Sequence, residues 1–179
     1  MAELEDLLRR TPQGNTVLFV DDEPNILAGL RRSLHRQHFH LLTATSGEAA
    51  LDILGDQTVQ LVVSDQDMPG MTGIALLREI RRRYPQVLCY MLTGKASLEL
   101  AVAAINQGDI HRFFTKPCCI DELVCGLQQG LEHQHLLAVA RTLLARFQSQ
   151  QQAIEHAEQQ FPGISRILRD EDGAIVLDL

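Results

Sequence analysis

A chain of 179 residues with 45% apolar content has room for one α/β domain and a modest appendage, and the composition is that of an ordinary soluble globular protein. Its formal net charge of -7 argues against a broad nucleic-acid surface, which needs clustered positive charge, so no nucleic-acid contact is expected. No apolar run approaches the roughly 18 residues of a membrane span and no secretory signal precedes the acids of Met1-Ala2-Glu3-Leu4-Glu5, so a cytoplasmic protein without a membrane contact is expected.

Residues 1–13 place Leu4, Leu7 and Leu8 at helical spacing before Thr11-Pro12-Gln13-Gly14 stops the pattern, which reads as a short leader. A strand follows from Thr16 to Val20 and runs into Asp21-Asp22-Glu23-Pro24. Pro24 suits the first turn of a helix whose inward face carries Ile26, Leu27, Leu30 and Leu34. Phe39 to Ala44 reads as a second strand, and Ser46-Gly47-Glu48 opens a helix that ends at Gly55. Val59 to Ser64 is nearly continuous in apolar residues, as a strand covered on both faces is. Gly73 to Tyr84 reads as a helix with Ile74, Leu77 and Ile80 inward, closed by Pro85; Arg81-Arg82-Arg83 is its solvated end. A fourth strand spans Val87 to Leu92, a helix from about Ser97 to Gln107 carries Leu98, Ala101, Val102 and Ile105, and a fifth strand spans about Ile110 to Thr115.

From Asp121 the pattern changes. Leu136, Ala140, Leu143, Phe147, Gln150, Ile154, Ala157 and Phe161 recur at alternating intervals of four and three, the seam of a coiled coil. The spacing predicts a helix that leaves the domain and runs to about Gln160 in spite of Gly126 and Gly130. The competing reading folds it back onto the domain. Pro162-Gly163 stops it, and Asp170-Glu171-Asp172-Gly173 between two apolar runs signals a hairpin. The expected organisation is thus a leader (1–13), an α/β domain (14–133), a heptad-patterned helical extension (134–161) and a hairpin (162–179). Cys89, Cys118, Cys119 and Cys125 lack paired metal spacing and read as reduced thiols, and His133-Gln134-His135 reads as a solvated helix stretch.

Four strands deliver distinctive groups to the end of a parallel sheet where open α/β folds place their sites: the pair Asp21-Asp22, Asp65 ahead of the loop Gln66-Asp67-Met68-Pro69-Gly70, Thr93-Gly94, and Lys116-Pro117. Several carboxylates crowded into one cleft require a neutralising cation, and hard oxygen ligands favour Mg²⁺. The set suits a transferable phosphoryl group on Asp65.

In that order, Asp-Asp, Asp, Thr and Lys at the ends of successive strands, the chain resembles the receiver domain of two-component response regulators over roughly residues 14–133. The resemblance implies a (βα)5 fold with a parallel five-stranded sheet of order 2-1-3-4-5. It implies Asp65 as phosphoacceptor, Asp22 as a direct Mg²⁺ ligand, Asp21 as one through water, and the Asp67 carbonyl completing the set. Lys116 then pairs with Asp65 and later with a phosphoryl oxygen, Thr93 donates its hydroxyl, Phe113 is the switch aromatic, and the Lys116-Pro117 bond is cis. Asp67 and Lys95, two positions beyond acceptor and threonine, are expected to pair across the site entrance. The implied function is a phosphorelay switch charged by a histidine kinase or phosphotransfer protein, signalling to an unnamed target and forming a homodimer through its C-terminal helix. It implies no enzyme beyond self-catalysed transfer and hydrolysis. Two rivals stand: a receiver piece of a longer output enzyme, such as a cyclic-dinucleotide phosphodiesterase, and an aspartyl-phosphate phosphatase using Asp67 as its second acid.

Overall fold

The computed structural model describes residues 15–94 and 97–161. The expected leader, the expected hairpin and Lys95 lie outside the described residues. Five strands, β1 (Thr16–Val20), β2 (His40–Ala44), β3 (Leu61–Asp65), β4 (Leu88–Thr93) and β5 (Arg112–Thr115), alternate with helices α1 (Pro24–Leu34), α2 (Gly47–Asp56), α3 (Gly73–Arg83), α4 (Leu98–Asn106) and α5 (Ile120–Gln160). All strand pairs are parallel and the order is β2-β1-β3-β4-β5, as expected.

Side chains of a strand alternate between faces, so a sheet covered on both sides needs apolar residues at successive positions. Every residue of β3 and β4 is accordingly buried. Leu18, Val62, Cys89 and Met91 enter one core with Leu76, Leu77 and Ile80 of α3 and Ala101 of α4. Val17, Phe19, Leu61, Val63 and Tyr90 enter the other with Leu27 and Leu34 of α1 and Leu123 and Leu127 of α5.

The apolar runs overshoot the ladders. Val59, Val87 and Ile110, expected as the first residues of β3, β4 and β5, are buried yet precede the paired segments. Hydrophobicity reports burial, whereas a strand is defined by its hydrogen bonds. In α3 the fully buried residues are Leu76, Leu77 and Ile80, with Ile74 only half-buried. In α4 the difference is larger. Ala101 and Ala104 face the sheet, while Leu98, Val102 and Ile105, named with Ala101 as the apolar residues of this helix, are 37%, 45% and 38% exposed. Small residues let the helix backbone sit close to β4 and β5, and the larger ones are turned toward solvent.

The first turns of α5 show why two glycines stand in a helix. A Cβ at Gly126 would meet the Phe114 ring at 2.5 Å, and one at Gly130 would overlap the Tyr90 hydroxyl. Helix-interior glycine costs about 0.5–1 kcal/mol relative to alanine. Here it admits Tyr90, whose hydroxyl donates to the Gly126 carbonyl at 3.4 Å. The chain divides into two units, residues 1–136 and 137–179, three positions beyond the expected boundary. The seam residues Leu136, Leu143, Phe147 and Ile154 of α5, and Phe161 just past its end, are between 38% and 64% exposed.

Candidate functional site

The strand register brings the polar residues together. Val20 pairs with Ser64, so Asp21 stands at the level of Asp65. Asp65 pairs with Leu92, placing Thr93 one step on, and Thr93 pairs with Thr115, placing Lys116 one step beyond that. Residues almost a hundred positions apart thereby occupy a single layer at the C-terminal edge of the sheet.

Lys116 is the centre of this layer. Its ammonium lies 2.7 Å from Asp65 Oδ1 and 2.9 Å from Asp21 Oδ2. The remaining oxygens are held by backbone donors: Asp67 N–H donates to Asp65 Oδ2 at 3.0 Å and Glu23 N–H to Asp21 Oδ1 at 2.9 Å. Asp21 and Asp65 are both buried, and Asp22 is half-buried beside them. Thr93 is fully buried with its hydroxyl donating to the Gly94 carbonyl at 3.3 Å. Phe113 is half-buried against the α3–α4 core. The Lys116-Pro117 bond is cis.

Burial by itself depresses the Lys116 ammonium, but hydrogen bonds to Asp65 and Asp21, together with their charges, carry its pKa above the usual lysine value. A group raised in the folded state stabilises fully below its unfolded pKa and loses that contribution as pH rises through the folded one. Removing one partner of a buried pair costs about 3–5 kcal/mol. Since Lys116 keeps 28% of its side-chain surface in water, a Lys116→Met variant is expected to lose about 2 kcal/mol at neutral pH. Urea denaturation checks this. The gap between variant and parent should hold through neutral pH and narrow only in the alkaline range, above about pH 10.4.

Asp21, Asp22 and Asp65 offer the hard carboxylate oxygens that Mg²⁺ selects. In this arrangement those of Asp21 and Asp65 face Lys116 and backbone N–H groups, and among the described residues no three His, Cys, Asp or Glu side chains stand close enough to hold a metal ion. The donor chemistry of these carboxylates fits Mg²⁺. A groove of about 770 Å³ between α1 and β2, lined by Pro24, Leu27, Ala28, Arg31, Arg32, His35, Thr43 and Thr45, contains none of these acids.

Three residues not singled out by the sequence reading complete the site. Gln66 is buried directly after Asp65, and its side-chain oxygen accepts from Ile74 N–H at 3.1 Å while its carbonyl accepts from Gly73 N–H at 3.1 Å. A Cβ on Gly73 would overlap the Asp65 carbonyl oxygen. Gln66 and Gly73 therefore clamp the loop after β3 to the start of α3. A polar residue closing an apolar strand, with glycine at the next helix start, was the available signal. The third is Ser97, which faces Asp67 from the start of α4.

The sequence fits the family model of the response regulator receiver domain over residues 17–128. It is 36% identical over 121 residues to the hydrogenase transcriptional regulatory protein HoxA of Cupriavidus necator, covering 68% of this chain and 25% of HoxA. It is also 36% identical over 114 residues to the DNA-binding transcriptional regulator NtrC of Klebsiella pneumoniae, covering 64% of this chain and 24% of that protein. The chain thus spans about a quarter of the length of these curated relatives. Among solved structures, the signal receiver domain of an HD domain-containing protein from Pseudomonas fluorescens Pf-5 superposes with a TM-score of 0.64 at 38% identity, covering 67% of this chain and 96% of that one. The matched stretch contains β2 to β5 and all of β1 but Thr16, together with the three acids, Thr93 and Lys116, and the chain belongs to the response regulator receiver family.

Proposed function

We propose that Asp65 accepts a phosphoryl group from a histidine kinase or phosphotransfer protein and that the charged receiver signals by changing its assembly state. The observation that carries this reading is the convergence of Asp21 and Asp65 on one ammonium, at 2.9 and 2.7 Å, with Thr93 one register step away. In the transfer, an Asp65 carboxylate oxygen bonds to phosphorus as the bond from phosphorus to the donor's imidazole nitrogen breaks, and the imidazole leaves with the electron pair. Lys116 then balances the charge of a phosphoryl oxygen and the Thr93 hydroxyl donates to another. Asp21, Asp22, Asp65 and the Asp67 carbonyl would hold Mg²⁺, which would supply charge neutralisation at the phosphoryl oxygens. The chain is proposed to carry no enzymatic activity beyond this self-catalysed transfer and hydrolysis, and to make no nucleic-acid contact itself.

The exposed seam of α5 supports a second copy of this chain as its partner. Leu136, Leu143, Phe147, Ile154 and Phe161 share the spacing by which two helices bury one another's apolar edge, and Gln150 weakens the pair while fixing its register. Sizing the protein with and without beryllofluoride and Mg²⁺ tests acceptor and output together. The expected result is a different elution volume in the two conditions and a smaller species for Phe147→Glu. Identical elution of all three samples refutes the assembly readout.

A second reading rests on chain coverage. The match to about a quarter of HoxA and NtrC supports a receiver that serves a longer output protein, whether a regulator of their kind or an enzyme.

A further inference from the structure

Ser97 occupies the N-cap of α4, where a serine hydroxyl ordinarily accepts from a first-turn N–H. It makes no such bond. Although only 7% exposed, Ser97 turns its hydroxyl to Asp67, 3.4 Å from each carboxylate oxygen. Its backbone N–H donates at 3.2 Å to the Gly94 carbonyl, the same oxygen that accepts from the Thr93 hydroxyl. Asp67 in turn donates its N–H to Asp65. Ser97 is therefore tied at two points to a circuit that starts at Asp65 and returns at Thr93. Both contacts to Asp67 are longer than the ordinary hydroxyl bond of about 2.7–2.8 Å, so they hold a direction and exchange easily. Asp67 is itself exposed, and a carboxylate released from Ser97 is free to turn at the site entrance.

We propose that Ser97 is a positioning residue: its hydroxyl holds the Asp67 carboxylate toward α4, away from the line along which water attacks phosphorylated Asp65, and so prolongs the phosphorylated state. The inference rests on the acceptor reading of Asp65. In hydrolysis, the water oxygen bonds to phosphorus while the bond from phosphorus to the Asp65 oxygen breaks, and the Asp65 carboxylate leaves with the electron pair. The proton given up by water needs an acceptor, and a freed Asp67 carboxylate supplies one. Lys95, the expected partner of Asp67, lies outside the described residues; among those described, the Asp67 carboxylate faces the uncharged hydroxyl of Ser97.

The test is the decay of acetyl-phosphate-labelled protein, followed by intact mass. Ser97→Ala is expected to shorten the half-life about threefold to tenfold, a fraction of what a well-placed base provides. Ser97→Thr, which keeps the hydroxyl, should restore the parent lifetime. In an Asp67→Asn background, Ser97→Ala should change nothing further. Melting temperature should be unaltered by Ser97→Ala, because no cap bond is lost. An unchanged lifetime in Ser97→Ala, or a shortening that persists in the Asp67→Asn background, overturns the proposal and leaves the acceptor reading standing. A parent protein that takes up no label overturns both.

Discussion

Asp65→Asn is expected to abolish phosphoryl uptake from acetyl phosphate, a fall of at least about a thousandfold, while leaving the fold intact. The amide keeps the shape of the carboxylate, and its oxygen still accepts from Asp67 N–H or Lys116. What it loses is the negative charge and the free lone pair that attack phosphorus. The other acids do not replace it. Asp21 is engaged by Lys116 and Glu23 N–H, and Asp67 points to Ser97. Stability should stay level or rise, because the site has two buried carboxylates on one lysine and the variant leaves one-to-one pairing. Intact mass after labelling reads the first effect and a urea midpoint the second. Labelling of Asp65→Asn at the parent level would move the acceptor to another acid and falsify the assignment.

The largest loss of stability is expected from Gly73→Ala, about 3 kcal/mol, at the upper end of the usual overpacking range. Its Cβ would overlap the Asp65 carbonyl oxygen and lie 3.0 Å from the Asp65 carbonyl carbon and Gln66 Cα. All three are backbone atoms, so no rotamer change relieves the contact; the loop between β3 and α3 has to shift. That loop also carries the hydrogen bonds from Gly73 N–H and Ile74 N–H to Gln66. Two other glycines calibrate the measurement. Gly55 in α2 has nothing within 4 Å of its would-be Cβ, so Gly55→Ala should stabilise by up to about 0.5–1 kcal/mol. Gly70 is also open but has φ +77, so Gly70→Ala should cost about 1–2 kcal/mol through the backbone alone. Urea denaturation of the three should rank them Gly55, Gly70, Gly73, and Gly73→Ala should also slow labelling, because Asp65 moves with its carbonyl. A Gly73→Ala protein as stable as the parent removes the clamp from the account.

The two predictions test different layers of the same site. Asp65 was legible in the sequence because a buried strand that stops on an acid before Pro and Gly is a local pattern. Gly73 was legible only as the start of a helix. Its closeness to the Asp65 carbonyl is a property of how the loop returns on itself, which no spacing rule encodes.

The alternation of apolar strands with helical periodicities determined the parallel α/β class, and the order Asp21-Asp22, Asp65, Thr93, Lys116 pointed to the receiver family. The same periodicity marked α5 as a helix reaching Gln160, through two glycines that sequence alone counts against it. These features are local: a strand or helix face is written in residues a few positions apart, and each was readable in place. Which side chains meet across the sheet is decided by register between strands far apart in the chain. That register put Lys116 between Asp21 and Asp65, making a lysine the site's neutralising cation in this arrangement. Tertiary packing also turned α4 so that its alanines face the sheet, and set Ser97 rather than a helix-capping bond against Asp67. Both depend on the anchoring of the helix ends to other elements, and a hydrophobic pattern counts apolar residues without recording which of them a neighbouring backbone leaves room for.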